Sequence, residues 1–254
     1  MIATERIQEE EHFHDLQAAE RAEHFERHRD DLVFNDNAYL DHETWIRPAF
    51  SQLGDVRGRD VLDYGCGHGM ASVVLARQGA SVTAFDLSSG YVAEAKQRAR
   101  ANSVEIRVQQ ADAEHLPFAD NSFDAVWGSA ILHHLDLHQA GKELRRVLRP
   151  GGVAVFCEPW AGNPLVNFAR DWLPYPGKHR THGERALKTR DLDPLRPFFT
   201  TIDIQGFQLL GMLRRLWSRE PGPASRLDRW DQRLLKSLPF LKNACRYVVI
   251  TLRG

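Results

Sequence analysis

The chain has 254 residues, 43% of them hydrophobic, and a formal net charge of -1 at neutral pH. This length and composition indicate an ordinary globular chain with a sizeable core, built as one large domain or two small ones. The balanced charge excludes a global electrostatic attraction to nucleic acid, so any basic surface must be local.

The three cysteines, Cys66, Cys157 and Cys245, lie far apart in the sequence. An odd and scattered set does not suggest a disulfide framework and favours a reducing compartment. The first residues carry charges where a signal peptide has an apolar run, and no apolar stretch approaches the roughly 20 residues of a membrane span. We therefore expect a cytoplasmic protein without stable membrane insertion.

The N-terminal segment is dense in Glu, Arg and His and contains neither Gly nor Pro from Arg6 to Phe34. This pattern predicts a helix that lies over a larger body. His24 and His28 form an i,i+4 pair that could bind a metal, but no third ligand at motif spacing accompanies them. A solvated helix face is the preferred interpretation, and no metal site is expected.

From about Arg57 to Cys157, short apolar runs alternate with helical patterns. The predicted strands are DVLDYG, SVTAFDLS, VEIRVQQAD, FDAVWGSA and VAVFCEP. The predicted helices between them are MASVVLARQG, YVAEAKQRARAN and HQAGKELRRVL, and RPGG is a predicted turn. Strands separated by such helices imply right-handed crossovers and a parallel sheet covered on both faces. The predicted fold class is α/β.

The first predicted strand runs into VLDYGCGHG, which spaces Gly65, Gly67 and Gly69 two residues apart. Glycines at a strand end allow a tight turn and a close approach of backbone to ligand. A nicotinamide dinucleotide loop would have the different spacing G-x-G-x-x-G. Asp63 would also repel a bound diphosphate, whereas it would attract an ammonium group. The motif therefore favours a cationic ligand.

Two later strands also end in acids. Asp86 could accept hydrogen bonds from both hydroxyls of a ribose, because it stands at the tip of the second strand. Asp112, followed by Ala113, could accept the exocyclic amine of adenine. Each acid could instead cap the helix that follows. Together with Asp63, these residues predict a site for a positively charged nucleoside.

These motifs resemble the class I S-adenosylmethionine-dependent methyltransferases, especially the branch of ubiquinone and menaquinone biosynthesis. The resemblance covers roughly Val56 to Pro159. Its five segments, in the family's order, are VLDYGCGHG, FDLS, ADAEHLPFADNSFDAV, GSAILHHL and RVLRPGG. One departure is His68, where the family more often has a small residue such as Thr, and it puts the contacts near the methionine moiety in doubt.

The resemblance implies a Rossmann-like, seven-stranded, mostly parallel sheet with an antiparallel last strand and helices on both faces. It also implies S-adenosyl-L-methionine as cofactor. Asp63 and the loop residues would then face the methionyl end, Asp86 the ribose, and Asp112 with Ala113 the adenine. The full implied set is Asp63, Gly65, Cys66, Gly67, Asp86, Leu87, Asp112, Ala113 and Ser129.

The chemistry asked of such a protein is modest, because the sulfonium already activates the methyl group. The protein must align the acceptor and exclude water, and an alcohol acceptor also needs a general base. His133, just past the fourth strand, and Glu158, at the end of the fifth, are the catalytic candidates. Only one of two adjacent histidines should face the pocket, and His133 is preferred as the base. His134 is a candidate residue on the substrate side. Local packing of His133 and a structural role for Glu158 remain alternatives.

Residues 160–195 are expected to form an acceptor-side loop. Its segment GKHRTHGERALKTR is rich in cations, and Arg180 and Arg185 could hold a carboxylate or phosphate of the acceptor. A solvated loop is the alternative. Trp160 and Tyr175 could wall an apolar acceptor, although core packing would explain such aromatic residues equally well.

FFTTIDIQGF and CRYVVITLRG are predicted as the last two strands, paired antiparallel. Residues 207–244 would form a helical insertion between them, with an amphipathic helix from about Arg226 to Ser237. This insertion could cover a hydrophobic acceptor or touch a membrane surface peripherally, and an ordinary covering helix pair is the alternative. The expected domains are an N-terminal helical cap over the active site, residues 1–50, and a methyltransferase domain, residues 51–254.

The expected function is methyl transfer to a small-molecule acceptor, at oxygen rather than carbon or nitrogen. An anionic or a hydrophobic metabolite is the expected kind of acceptor. One alternative is carbon methylation of a prenyl or quinone-like acceptor. An alternative of another class is a non-catalytic S-adenosylmethionine-binding partner or regulatory subunit. A nucleic-acid acceptor is not expected, because the sequence has no appended recognition domain and no extended basic stripe.

Overall fold

The computed structural model describes residues 3–163, 185–212 and 226–254. Within this part of the chain, seven strands form one sheet in the order β3-β2-β1-β4-β5-β7-β6. The strands are β1 (Asp60–Tyr64), β2 (Ser81–Asp86), β3 (Arg107–Gln110), β4 (Phe123–Ser129), β5 (Leu148–Pro159), β6 (Thr201–Phe207) and β7 (Tyr247–Arg253). Only β7 runs antiparallel to its neighbours, β5 and β6, and the other pairs are parallel. The predicted Rossmann-like sheet is confirmed.

Helices surround the sheet. They are α1 (Ala3–Arg27), α2 (Asp36–Leu40), α3 (Ile46–Gln52), α4 (Met70–Arg77), α5 (Ser89–Ala101), α6 (Leu137–Val147) and α7 (Arg226–Ser237). Short 3-10 turns cover Arg29–Leu32, Leu132–His134, Thr189–Leu195 and Pro239–Ala244. Side-chain caps fix two helix starts: Ser88 accepts the backbone N–H of Tyr91 before α5, and Asp136 accepts that of His138 in α6. In the described part of the chain, no helix is both long and apolar enough to cross a bilayer.

The two faces of the sheet are covered by separate hydrophobic clusters, because side chains alternate along each strand. Leu62 and Val126 lie in a cluster with residues of α6 and of the 189–195 turn. Their chain neighbours Val61 and Trp127 lie in the opposite cluster, with residues of α3 and α4. A parallel sheet buried on both faces leaves its strand ends as the place for a site.

Two element boundaries differ from the predicted ones. The predicted N-terminal helix ends at Arg27 rather than near Phe34. The Asn102 side chain binds the carbonyl of Leu32 and the N–H of Phe34, which replaces the hydrogen bonds of a further helical turn. The predicted turn RPGG lies inside β5, because Leu148 already pairs with Phe123 before the register shifts.

The N-terminal region divides into two parts. Trp45 and Phe50, in and beside α3, are buried in the core against the sheet. Helix α1 instead packs along α5, where Arg21 donates two hydrogen bonds to Glu94 at 2.7 and 2.9 Å. The N-terminal region is therefore split between α3, which is part of the core, and α1, which packs on α5.

Candidate active site

A cavity of about 340 Å³ opens at the carboxyl ends of the parallel strands, beneath α1. Its volume lies within the range of roughly 300–1,000 Å³ found for small-molecule sites. The predicted cofactor residues that line it are Gly65, Gly67, Asp86, Leu87, Asp112, Ala113 and Ser129. Helix α1 contributes Arg6, Ile7, Glu10 and His14 to the same wall. The fold thus brings together residues from four strand ends and one distant helix.

The glycine loop presents its backbone to this cavity. Gly67 has φ +48°, and a Cβ added there would meet nothing within 4 Å. Its N–H donates to Asp86 Oδ2 at 2.8 Å, which ties the loop to the end of β2. Cys66 turns away from the cavity into a small cluster with Ala84 and Ala95, so only its backbone belongs to the loop surface.

Asp63 lies beneath the loop and is not among the residues that line the cavity. It is 2% exposed, and its Oδ2 accepts a hydrogen bond from Ser72 Oγ at 2.5 Å. Burial raises the pKa of Asp63 to about 7. The carboxylate therefore points to α4. The sequence analysis instead expected it to face the ligand.

Asp86 and Asp112 both line the cavity, as predicted for two acids at strand ends. Asp86 accepts the N–H of Gly67 on one oxygen and that of Ser88 on the other. Burial raises the pKa of Asp86 from its usual range. Asp112 accepts the N–H of Glu114 at 2.8 Å. Since a carboxylate offers about four acceptor positions, each acid can still accept hydrogen bonds from a ligand.

His68, the departure from the family pattern, also lines the cavity. Burial, with the nearby charges of Arg21 and Arg98, lowers its pKa to about 4, so the imidazole is neutral at neutral pH. Among the described residues its Nδ1 has no hydrogen-bond partner, although the atom is buried. An unsatisfied buried polar atom costs about 1–3 kcal/mol, which a polar ligand atom could remove.

The two adjacent histidines after β4 take different places. His134 lines the cavity, whereas His133 is not among the lining residues. The His133 side chain is 4% exposed, and its Nδ1 lies 2.7 Å from Glu158 Oε2. One of the two does face the cavity, but it is His134 rather than the preferred His133.

Glu158 explains this arrangement. Its side chain is fully buried, and Oε1 accepts the N–H groups of Ile131 and Leu132 at 2.9 and 2.8 Å. The carboxylate thus holds the start of the 132–134 turn while its other oxygen pairs with His133. Glu158 is a positioning residue in this geometry, which is the structural alternative raised from the sequence.

Helix α1 places two polar side chains against His134. Glu10 Oε1 lies 3.1 Å from His134 Nδ1, and Glu10 Oε2 lies 3.5 Å from His14 Nε2. Burial lowers the pKa of His14, but the hydrogen bond with Glu10 and the nearby charge of Asp86 outweigh it, so the pKa is raised. The sequence analysis assigned neither residue to the site, although their i,i+4 spacing in a predicted helix was a usable signal.

Of the other residues predicted for the acceptor side, Trp160 and Arg185 do not line this cavity. Trp160 is fully buried in the core, and its backbone N–H donates to the carbonyl of Arg246. Arg185 is exposed and donates two hydrogen bonds to Asp191, each 2.9 Å long. Tyr175 and Arg180 lie outside the described residues.

Comparison with known proteins gives a family match over the first five strands of the sheet. The family described as a methyltransferase domain matches residues 62–156. The chain is 42% identical over 122 residues to demethylmenaquinone methyltransferase of Beutenbergia cavernae, covering 46% of this chain and 49% of that protein. It is 42% identical over 143 residues to malonyl-[acyl-carrier protein] O-methyltransferase of Pseudescherichia vulneris, covering 56% and 54%.

These matches span about half the length of the curated relatives. Among solved structures, the chain is similar to a SAM-dependent methyltransferase, described as a possible histamine N-methyltransferase, from Thermotoga maritima. That likeness has a TM-score of 0.60 at 19% identity and covers 96% of this chain and 98% of the other. It shows the shared fold. Residues 62–156 of this chain therefore match the methyltransferase-domain family.

Proposed function

We propose that this protein transfers a methyl group from S-adenosylmethionine to a small-molecule acceptor. One observation carries the proposal: a single cavity gathers the open backbone of Gly67 with the carboxylates of Asp86 and Asp112. Backbone without a side chain suits close approach of a ligand, and acids at the tips of successive strands suit ribose and adenine. The family of the domain agrees with this combination.

The residues of the cavity fit the cofactor part by part. Asp86 would accept the ribose hydroxyls, Asp112 with Ala113 would hold the adenine, and Leu87 would contact the purine. His68 supplies a neutral imidazole whose buried nitrogen needs a polar partner. We assign that partner to the methionyl carboxylate. The cofactor itself supplies a methyl group on a positively charged sulfur, which needs no further activation.

The chain's own contribution is to exclude water and to position the acceptor. Helix α1 covers the strand ends, and its Arg6 ties it down through hydrogen bonds to Glu114 and to the carbonyl of His134. Such a cover favours displacement at the methyl carbon over loss to water. We further propose a cytoplasmic protein whose acceptor is a small molecule rather than a nucleic acid.

Oxygen is the acceptor atom that we propose. In O-methylation, the acceptor oxygen bonds to the methyl carbon, the carbon–sulfur bond breaks with its electrons left on sulfur, and the hydroxyl proton passes to a base. Glu10, His14 and His134 line the cavity and can accept that proton. His133, the base expected from the sequence, is turned to Glu158 instead. The relative named an O-methyltransferase supports oxygen.

Carbon methylation of a prenyl or quinone-like acceptor is the second candidate. It is favoured by the similarity to a demethylmenaquinone methyltransferase over almost half of each chain. Mass spectrometry of a labelled product from a pool of metabolites separates the two, because the fragments locate the label on oxygen or carbon. Cofactor binding without any transfer would favour a non-catalytic binding subunit instead.

The direct test of the cofactor site is calorimetry of S-adenosylmethionine binding to wild type and Asp86→Asn. The variant keeps the shape of the side chain but loses one acceptor oxygen, so affinity should fall about tenfold, or about 1.4 kcal/mol. Asp203→Asn, at an exposed acid of β6, is the matched control and should bind like wild type. Equal affinity in all three proteins would remove the ribose role, and no binding by wild type would overturn the function.

A further inference from the structure

Three side chains from two distant parts of the sequence meet at the wall of the cavity. Glu10, His14 and His134 each offer a ligand atom, and these atoms all lie within 4.8 Å of one another. We propose that these three residues form a binding site for a divalent transition metal ion, with Zn²⁺ as the preferred ion. The sequence analysis expected no metal site, because the His24 and His28 pair has no third ligand at motif spacing. The ligands of this site come from α1 and from the 132–134 turn, so no local spacing motif marks them.

The neighbouring residues orient the histidines as ligands. His14 Nδ1 lies 3.4 Å from Gln17 Oε1, and Gln17 Oε1 also accepts the hydroxyl of Tyr91 at 3.1 Å. A proton on Nδ1 leaves Nε2, the nitrogen facing Glu10, free of a proton. Metal-binding histidines commonly donate their second N–H in this way, which fixes the ring and the tautomer. The backbone of His134 is held by Arg6 of the same helix α1.

The donor set selects the class of ion. Two imidazoles and one carboxylate suit Zn²⁺ and similar transition metals, whereas Mg²⁺ and Ca²⁺ require mostly oxygen donors. Three protein ligands leave at least one coordination position for water or substrate, as in catalytic zinc sites. The ligand side chains are 13% to 27% exposed, so an ion at this place would be partly shielded from solvent. One carboxylate and two neutral imidazoles would leave it with a net positive charge.

The site deepens the proposed function and rests on it for its role. All three ligands line the cavity assigned to the cofactor, so the open coordination position would lie within it. A hydroxyl bound to Zn²⁺ loses its proton far more readily than a free one. The substrate class is therefore an acceptor with a hydroxyl oxygen able to bind a metal, such as a phenol, an enol or a hydroxy acid.

The test measures metal binding without any turnover. Untagged protein, stripped of metal with a chelator, is titrated with Zn²⁺ by calorimetry, and with Co²⁺ by its visible absorption. We expect one equivalent to bind, and His14→Ala, His134→Ala and Glu10→Gln each to weaken binding at least about tenfold. His24→Ala is the matched control. His24 and His28, at and just after the end of α1, also have i,i+4 spacing, and their rings stack at 4.6 Å, but neither lines the cavity.

Binding that is unchanged in His14→Ala and His134→Ala, or that is lost in His24→Ala, overturns the site. Absence of stoichiometric Zn²⁺ binding to wild type overturns it as well. Circular dichroism and S-adenosylmethionine affinity are measured on the same samples, so an unfolded variant is recognised and replaced by Glu10→Gln, which is nearly isosteric. A protein that binds S-adenosylmethionine but no metal refutes the metal site alone, whereas one that binds Zn²⁺ but no cofactor refutes the proposed function.

Discussion

Replacement of Gly69 by Ala should destabilise the protein through two separable effects. Gly69 precedes α4 with φ +79°, and an added Cβ would lie 2.7 Å from Ala95 Cβ and 2.8 Å from Ala95 Cα. The left-handed backbone costs a residue with a Cβ about 1–2 kcal/mol. The collision with the fully buried Ala95 of α5 adds about 1–3 kcal/mol, because the backbone must shift. The sum is about 2–5 kcal/mol.

Gly54→Ala is the matched control for this variant. Gly54 has φ +75°, but an added Cβ would meet nothing within 4 Å, so only the backbone cost should be measured. Urea unfolding of both variants gives the two free energies, and their difference isolates the packing of α4 on α5. In thermal unfolding, each kcal/mol should lower Tm by about 2–4 °C. Equal losses in the two variants would refute the argued collision.

Three further predictions test the same cavity and its support. Gly67→Ala should lose no more stability than Gly54→Ala but should weaken cofactor binding in calorimetry, because its Cβ enters the cavity; unchanged affinity would contradict this. Glu158→Gln should lower the free energy of unfolding by about 1–3 kcal/mol, because Oε1 must stay on the N–H groups of Ile131 and Leu132 while an amide nitrogen replaces the oxygen paired with His133; an unchanged urea midpoint would count against it. The raised pKa of Asp63, about 7, means that the folded state binds the proton more tightly than the unfolded state. Stability should therefore fall as pH rises from about 4 to 7, and Asp63→Asn should lack this fall; parallel curves for the two proteins would refute it.

Much of the fold could be predicted from sequence because its signals are local. Alternating strand and helix patterns give the crossovers, and β1, α4, β2 and α5 begin and end within a few residues of the prediction. The failures, in contrast, have a long-range cause. Asn102 replaces the hydrogen bonds that would have continued the first helix toward Phe34, and a contact from another helix leaves no trace in the periodicity of α1.

The cofactor side of the site was predictable for a related reason. Parallel strands place their carboxyl ends along one edge, so acids at the ends of β2 and β3 had to be neighbours. Asp63 shows the limit of that rule. It stands two residues before the glycine turn, inside β1, and the alternation of the strand together with Ser72 decides where its carboxylate points.

The acceptor side depends on contacts that sequence distance hides. The sequence of two adjacent histidines does not indicate which ring faces a cavity. In the structure, Glu158 pairs with His133, and His134 faces α1. Glu10 contacts His134 because α1 lies across the strand ends. As bases or as metal ligands, these groups need α1 in this position, which hydrogen bonds from Arg6 hold. Loss of the Arg6 side chain should therefore weaken both metal binding and the exclusion of water.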